Sequence, residues 1–147
     1  MKDRRVEVFS FTTNYVQIWA YDLESNSNKL FKTNRIDSVE ILEDDWQNAE
    51  QHHAGFIDVF RMSTFEQMDV SLKMGLRASS LLLEEYPLAE KDLTKISNNE
   101  FVLNTKVCGF AGVGRFVLGL LDDIEIVYPQ EFKDYIKEKL IKYQKKL

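Results

Sequence analysis

The sequence predicts an α+β protein, mostly β in its first half and mixed in its second. Three observations predict it. Short runs with period-two alternation, separated by turn residues, recur from residue 5 to residue 42. Helices are read only later, at residues 76–86, 113–121 and 132–143, the last two from apolar stripes of helical period. Around those stripes the second half keeps returning to short alternating runs.

Residues 5–11 read as the first strand, with Val6, Val8, Phe9 and Phe11 apolar, and Thr12-Thr13-Asn14 as a turn. Residues 15–22 are the clearest strand. Alternation sends Val16, Ile18 and Ala20 to one face and Tyr15, Gln17, Trp19 and Tyr21 to the other. The first set is small and aliphatic, as a core face should be. The second carries three aromatic rings and an amide, either a second packing surface or a platform for planar ligands. Structural packing is the commoner reason for strand aromatics. Glu24-Ser25-Asn26-Ser27-Asn28 reads as a polar hairpin loop. Residues 29–34 and 37–42 complete the set as strands, the latter with Val39 and Ile41 on one face. Several short strands at this spacing predict a small curled sheet or barrel. Glu43-Asp44-Asp45 ends the series, and residues 46–62 read as connecting chain that includes a possible helical turn.

Residues 56–61 are apolar enough to pack and could join a sheet. Residues 68–74 alternate as a strand, 76–86 form a helix closed by Pro87, and 93–96 with 100–108 form a hairpin around Ser97-Asn98-Asn99. Val113, Phe116, Val117, Leu120 and Leu121 make one helical stripe, and residues 124–128 form a strand. Pro129 opens the last helix, whose buried stripe is Phe132, Ile136, Leu140 and Tyr143. Lysines 137, 139, 142, 145 and 146 suit the negative end of its dipole. Strand, helix, strand, strand, helix, strand is the order of a ferredoxin-like α/β sandwich. The domains are therefore drawn as 1–45, a linker at 46–62, and 63–147.

At 147 residues, 44% hydrophobic and 29% charged, the chain suits one compact domain or two very small ones. A net charge of −5 argues against coating nucleic acid indiscriminately. One cysteine, Cys108, forbids an internal disulfide and fits a reducing cytoplasm, where it reads as a small apolar strand residue. No apolar run has the length of a membrane helix, and no secretory leader is recognised, so no membrane partner is expected. A strand starting within five residues of the N-terminus suggests an upstream segment.

No catalytic constellation emerges, and no enzyme, cofactor or metal is expected. Gly109-Phe110-Ala111-Gly112-Val113-Gly114 lies between a strand and a helix, but its spacing fits neither the dinucleotide fingerprint nor the P-loop; a tight turn explains it better. Asp122-Asp123 reads as a turn, and Ser79 and Ser80 lie within a helix without a base. Adjacent His52 and His53 lack the spacing of metal ligands and read as solvated loop. The basic run is different. Lys29, Lys32 and Arg35, with Arg4 and Arg5 nearby if the first strand is a neighbour, could form an anion pocket beside the aromatic face. They converge only if the strand bends, and lysines that protect a sheet edge are an equal alternative.

Val16-Gln17-Ile18-Trp19-Ala20-Tyr21-Asp22, then residues 29–36, then Val39, resemble the WYL domain of bacterial transcriptional regulators. Phe116-Val117-Leu118-Gly119-Leu120, residues 123–129 and Glu131-Phe132-Lys133 resemble the helix–strand–proline–helix ending of the extension domain that often follows it (WCX). The resemblance implies an Sm-like or SH3-like small β-barrel, incomplete at its N-terminus, followed by the ferredoxin-like sandwich. It implies a regulator that reads DNA through an upstream helix–turn–helix domain, works as a homodimer, and senses a nucleotide or oligonucleotide. Arg35 matches the family's pocket arginine. Lys29 and Lys32 stand where the family usually has arginine, and Gln17 stands at its ligand-facing tyrosine.

Taken together, the sequence predicts a ligand-sensing and oligomerising portion of a transcriptional regulator. The anion is expected at Arg35, Lys32 and Lys29, with Arg5 beside them. Gln17, Tyr15, Trp19 and Tyr21 face the ligand. A pure dimerisation module, and a direct single-strand nucleic-acid binder, are the alternatives.

Overall fold

The computed structural model describes residues 2–12 and 15–147. They form two compact units, Met1–Gly55 and Phe56–Leu147, of an α+β protein. Thr13 and Asn14, in the turn expected after the first strand, lie outside the described residues.

The first unit is built on three antiparallel strands, β1 (Val6–Phe11), β2 (Gln17–Asp22) and β3 (Ser27–Lys32), in the order β1-β2-β3. The register of β1 slips between Val8 and Ser10, which makes Phe9 the extra residue of a bulge and re-aims its ring. β2 and β3 meet in a tight turn with Asn26 at φ 48°. There Asp22 accepts the backbone N–H of Glu24 at 3.0 Å, a local bond that aspartate favours in turns. β3 stops at Lys32, and Thr33–Arg35 forms a single 3-10 turn.

Three expectations for this unit are corrected. Residues 37–42 do not form a strand. Alternation provides one apolar side, but a strand also needs a ladder partner and a layer to face. Val39 is 78% exposed and Ile41 92%. Among the described residues no fourth strand joins the sheet, so it does not close into a barrel. Nor does alternation along β2 separate a buried face from an open one. Ile18, Trp19, Ala20 and Tyr21 are all buried, whereas Val16, assigned to the core side, is exposed.

The second unit opens with a short hairpin, β4 (Phe56–Ile57) and β5 (Ser63–Thr64). It continues through β6 (Met68–Met74), α1 (Leu76–Glu85), β7 (Leu93–Ser97), β8 (Glu100–Val107), α2 (Phe110–Leu118), β9 (Ile124–Tyr128) and α3 (Gln130–Gln144). Strands β6 to β9 form one antiparallel sheet in the order β7-β8-β6-β9. Val70, Leu72 and Met74 of β6 and Leu103 and Val107 of β8 alternate into the core, where they meet Leu82 of α1, Val113 and Val117 of α2 and Phe132 of α3. Burying each such side chain stabilises by roughly 2 kcal/mol. Val59 and Phe60 join this core, so residues 56–62 belong to the second unit; Trp46 and His52 belong to the first.

Gly109 serves backbone conformation, and Gly112 and Gly114 serve packing. Gly109 begins α2 at φ 126°, a conformation that L side chains rarely adopt. A Cβ on Gly112 would lie 2.6 Å from Met62 Cγ, and one on Gly114 would lie 2.8 Å from Tyr135 Cε1. Gly112 and Gly114 therefore let α2 approach the β4–β5 hairpin and α3. Two carboxylates tie distant segments together. Asp123 accepts the N–H of Ala78 at 2.8 Å and so caps α1, whose own N-cap residue, Gly75, has no side chain to do it. Asp58 accepts the N–H groups of Met62 at 2.9 Å and Cys108 at 2.8 Å. Pro129 is the N-cap residue of α3, one place before the position expected. The predicted α3 stripe is buried only at Phe132 and Ile136. Leu140 and Tyr143 are exposed, because the helix outruns the core it packs on.

Asp58 is buried while Asp69, paired with Lys106, is exposed. Asp58→Ala strands two N–H donors and is expected to cost about 2 kcal/mol in urea unfolding followed by far-UV circular dichroism. Asp69→Ala is expected to change stability by less than about 0.5 kcal/mol.

Candidate functional site

The first unit contains six basic residues, Lys2, Arg4, Arg5, Lys29, Lys32 and Arg35. The fold sorts them by how it treats Asp22, at the end of β2. The Asp22 side chain is fully buried. Lys29 reaches it across the β2–β3 ladder at 2.8 Å, and Arg4 reaches the same oxygen at 2.6 Å from just before β1. The hydrogen bond from the Lys29 ammonium holds the Asp22 carboxyl well below its ordinary pKa, against burial, which pushes the other way; the Glu24 N–H and Ser25 add to the lowering. Arg4 also lies over the Phe31 ring, 6.0 Å from its centroid. Lys29 and Arg4 are thus committed to the fold.

Lys2 pairs with Glu24 at 3.1 Å, and Arg5 pairs with Asp44. Lys32 and Arg35 are exposed and form no ion pair or hydrogen bond with any other described residue through their side chains. Lys32 ends β3 directly opposite Gln17, so the two side chains leave the same face of the ladder. Arg35 lies three residues on, in the 3-10 turn, where strand alternation no longer applies. Thr33 fixes that turn by donating both its N–H and its hydroxyl to the Val16 carbonyl, each at 3.1 Å. Tyr15, in the αL conformation at φ 56°, is 71% exposed and meets Phe11 edge-on at 5.5 Å.

The eight residues singled out from the sequence therefore separate. Lys32, Arg35, Gln17 and Tyr15 lie around the open end of the β2–β3 ladder. Lys29 is tied to Asp22, Arg5 is tied to Asp44, and Trp19 and Tyr21 are buried. Lys29, neutralised by a desolvated carboxylate, cannot also bind a ligand at full strength, whereas the Arg5–Asp44 pair is exposed and holds Arg5 only weakly.

A second cluster went unrecognised in the sequence. Glu7 is buried and accepts the N–H groups of Gln47 at 2.8 Å and Asn48 at 3.2 Å, and it lies 2.7 Å from His52 Nε2. The His52 ring stacks on Phe9 at 4.7 Å and meets Trp46 edge-on at 4.8 Å. The Tyr21 hydroxyl completes the cluster with a 2.5 Å bond to Gln51 Oε1. His52, expected in a solvated loop, instead clamps residues 46–52 over the sheet. Its only sequence signal was the glutamate in β1, 45 residues earlier. Burial alone would raise the Glu7 pKa, but the bonds from Gln47, His52 and Asn48 outweigh it and leave the carboxyl below its ordinary value.

Other groups that the sequence raised are engaged elsewhere. Ser79 and Ser80 both donate to the Leu76 carbonyl. Burial, and then the nearby Asp58 charge, push the Cys108 thiol pKa up, away from the reactive thiolate. Among the described residues no group of three or more histidine, cysteine or acidic side chains is placed to hold a metal ion. No helix among them is long and apolar enough to cross a membrane. No protein-family model matches the chain, and no curated protein matches it with significance.

Asp22 and Glu7 both titrate lower in the folded state than in the unfolded chain. Their stabilisation is complete above the unfolded values, about pH 4, and is lost as the pH falls from there through the folded ones. Both tryptophans, Trp19 and Trp46, lie in the first unit. Urea midpoints read by tryptophan fluorescence are expected to fall as the pH is lowered from 5 to 3. Asp22→Ala is expected to cost about 2 kcal/mol at pH 7, less than for a wholly buried pair because Lys29 and Arg4 stay partly solvated. The same substitution should flatten the acid limb.

Proposed function

We propose that this chain is the ligand-sensing and oligomerising portion of a bacterial transcriptional regulator of the WYL type, and that it binds a nucleotide or short oligonucleotide at the open end of β2 and β3. The observation that carries the reading is the sorting of the first unit's cations. Four of six are paired with acids, and Lys32 and Arg35 are not. Arginine offers a planar fork to a phosphate, and lysine offers a mobile point charge. The exposed ring of Tyr15 and the amide of Gln17 supply a stacking surface and a hydrogen-bonding group beside them.

The finer fold belongs to the same proposal. The antiparallel β1-β2-β3 sheet, which does not close among the described residues, would be the described part of the small Sm-like or SH3-like barrel, incomplete at its N-terminus, that the resemblance implies. In the second unit, the order β7-β8-β6-β9 with a helix after β6 and another after β8 supports the ferredoxin-like reading. DNA recognition would fall to an upstream domain. A pure dimerisation module that buries the β2 aromatic face against a partner draws less support, since Trp19 and Tyr21 are already buried. A general single-strand binder would use many cations, and this edge offers two.

Fluorescence anisotropy with a labelled oligonucleotide at low salt tests the proposal. Lys32→Ala and Arg35→Ala are each expected to weaken binding several-fold. With two phosphates engaged, log affinity should fall with log salt at a slope of about −1.4. Unchanged affinity in the double variant would rule the site out.

A further inference from the structure

Two exposed segments of this chain carry apolar side chains with no layer to cover them, and their charges are opposite. The first is residues 36–45, which have no regular structure. Val39, Ile41 and Leu42 are exposed there at 78, 92 and 46%. Between 37 and 45 the sequence has five acids and no base. Only Asp44, bonded to Arg5, has an ion partner among the described residues.

The second segment is the end of α3. The stripe begun by Phe132 and Ile136, both buried, continues on the same helical face to Leu140 and Tyr143, which are 43 and 46% exposed. From Ile136 to Gln144 the helix advances about 12 Å, more than two turns, so its apolar seam is longer than the core that uses it. Residues 137–147 carry five lysines and a single acid, Glu138. Lysines 142, 145 and 146 have no ion partner among the described residues.

Neither surface suits a copy of itself. Two acidic segments, or two lysine-rich helix ends, would set like charges against each other around an apolar contact. Each suits the other. Val39 and Ile41, two residues apart in extended chain, would lie about 7 Å apart on one side, between the roughly 4.5 Å axial spacing of Leu140 and Tyr143 and the roughly 10 Å of Ile136 and Tyr143. Glu40, Glu43 and Asp45 would then run along the lysines.

We infer that residues 37–45 of one copy of this chain dock on the exposed α3 stripe, Leu140 and Tyr143, of a second copy. Under twofold symmetry the exchange is reciprocal, so each dimer contains the contact twice. The inference deepens the oligomerising part of the proposed function and does not depend on the ligand site, because Lys32 and Arg35 lie outside both segments.

Sedimentation velocity of the full chain at micromolar to hundred-micromolar concentration, in low and high salt, provides the test. The wild type is expected to form a dimer that weakens as salt rises. Leu140→Glu with Tyr143→Glu should leave a folded monomer, as should the charge reversal Lys142→Glu, Lys145→Glu, Lys146→Glu. These side chains are exposed, so circular dichroism should remain that of the wild type. The second reversal, Glu40→Lys with Glu43→Lys, should also give a monomer. When the two charge-reversed chains are mixed, both reciprocal contacts set opposite charges together, one in the native sense and one reversed, and a heterodimer should return. A wild type that stays monomeric throughout, a dimer that ignores these substitutions, or an α3 stripe that binds anionic vesicles or DNA and not a second copy would overturn the inference. Oligonucleotide affinity measured on the monomeric variants keeps the two proposals separate, since it should survive loss of the dimer.

Discussion

A carboxylate withdrawn from water must be matched by positive charge, and in the first unit that carboxylate is Asp22. Its burial decides the use of Lys29 and Arg4, which converge on one oxygen, Lys29 from β3 and Arg4 from just before β1. It also fixes the β2–β3 turn through the Glu24 N–H. The strands are short and the sheet has three of them, a size at which apolar burial alone gives little margin. The ion cluster at one end of β2 and the Glu7–His52 clamp over the sheet add the specificity that a small core lacks. Both work by giving a desolvated carboxylate a full set of partners.

The functional reading follows from this division of charge. In the sequence, Lys29, Lys32 and Arg35 look equivalent, three cations within seven residues. In the fold they are not. Lys29 belongs to the structure, and the pair at the ladder's open end is left to solvent or to a ligand. Such a site is modest. Two cations and an exposed ring suit one or two phosphates and a single base better than a long strand, which agrees with the net charge of −5. The second unit has no comparable set. Its carboxylates Asp58, buried, and Asp123, half-buried, accept backbone N–H groups, and Gly112 and Gly114 accommodate neighbouring side chains.

Much of the second unit was legible in the sequence because its signals are local. The alternation of residues 68–74, the stripe at Val113, Phe116 and Val117, and the proline before α3 each state one element within a few residues. The first unit was harder to read, for physical reasons. Period-two alternation at 37–42 specifies a side-chain pattern but cannot provide a neighbouring strand. The same alternation in β2 could not show that both faces are covered, since Tyr21 is covered by residues 46–52, from well beyond the strand. His52 reads as solvated loop until Glu7, 45 residues away, is brought against it. The α3 stripe failed in the opposite sense. Its period is correct to Tyr143, but period says nothing about where the core ends. At the candidate site, the residue types were visible in sequence, and their separation into committed and free cations needed the third dimension.

The central claim is that Lys32 and Arg35 meet the anion while Lys29 and Arg4 stay bound to Asp22. Side-chain NMR of the ammonium and guanidinium nitrogens, followed during titration with a nucleotide or short oligonucleotide, tests it most directly. The account requires the Lys32 Nζ and Arg35 Nε resonances to move with ligand while those of Lys29 and Arg4 stay in place. Movement at Lys29 and Arg4, or no movement at any of the four, would contradict it.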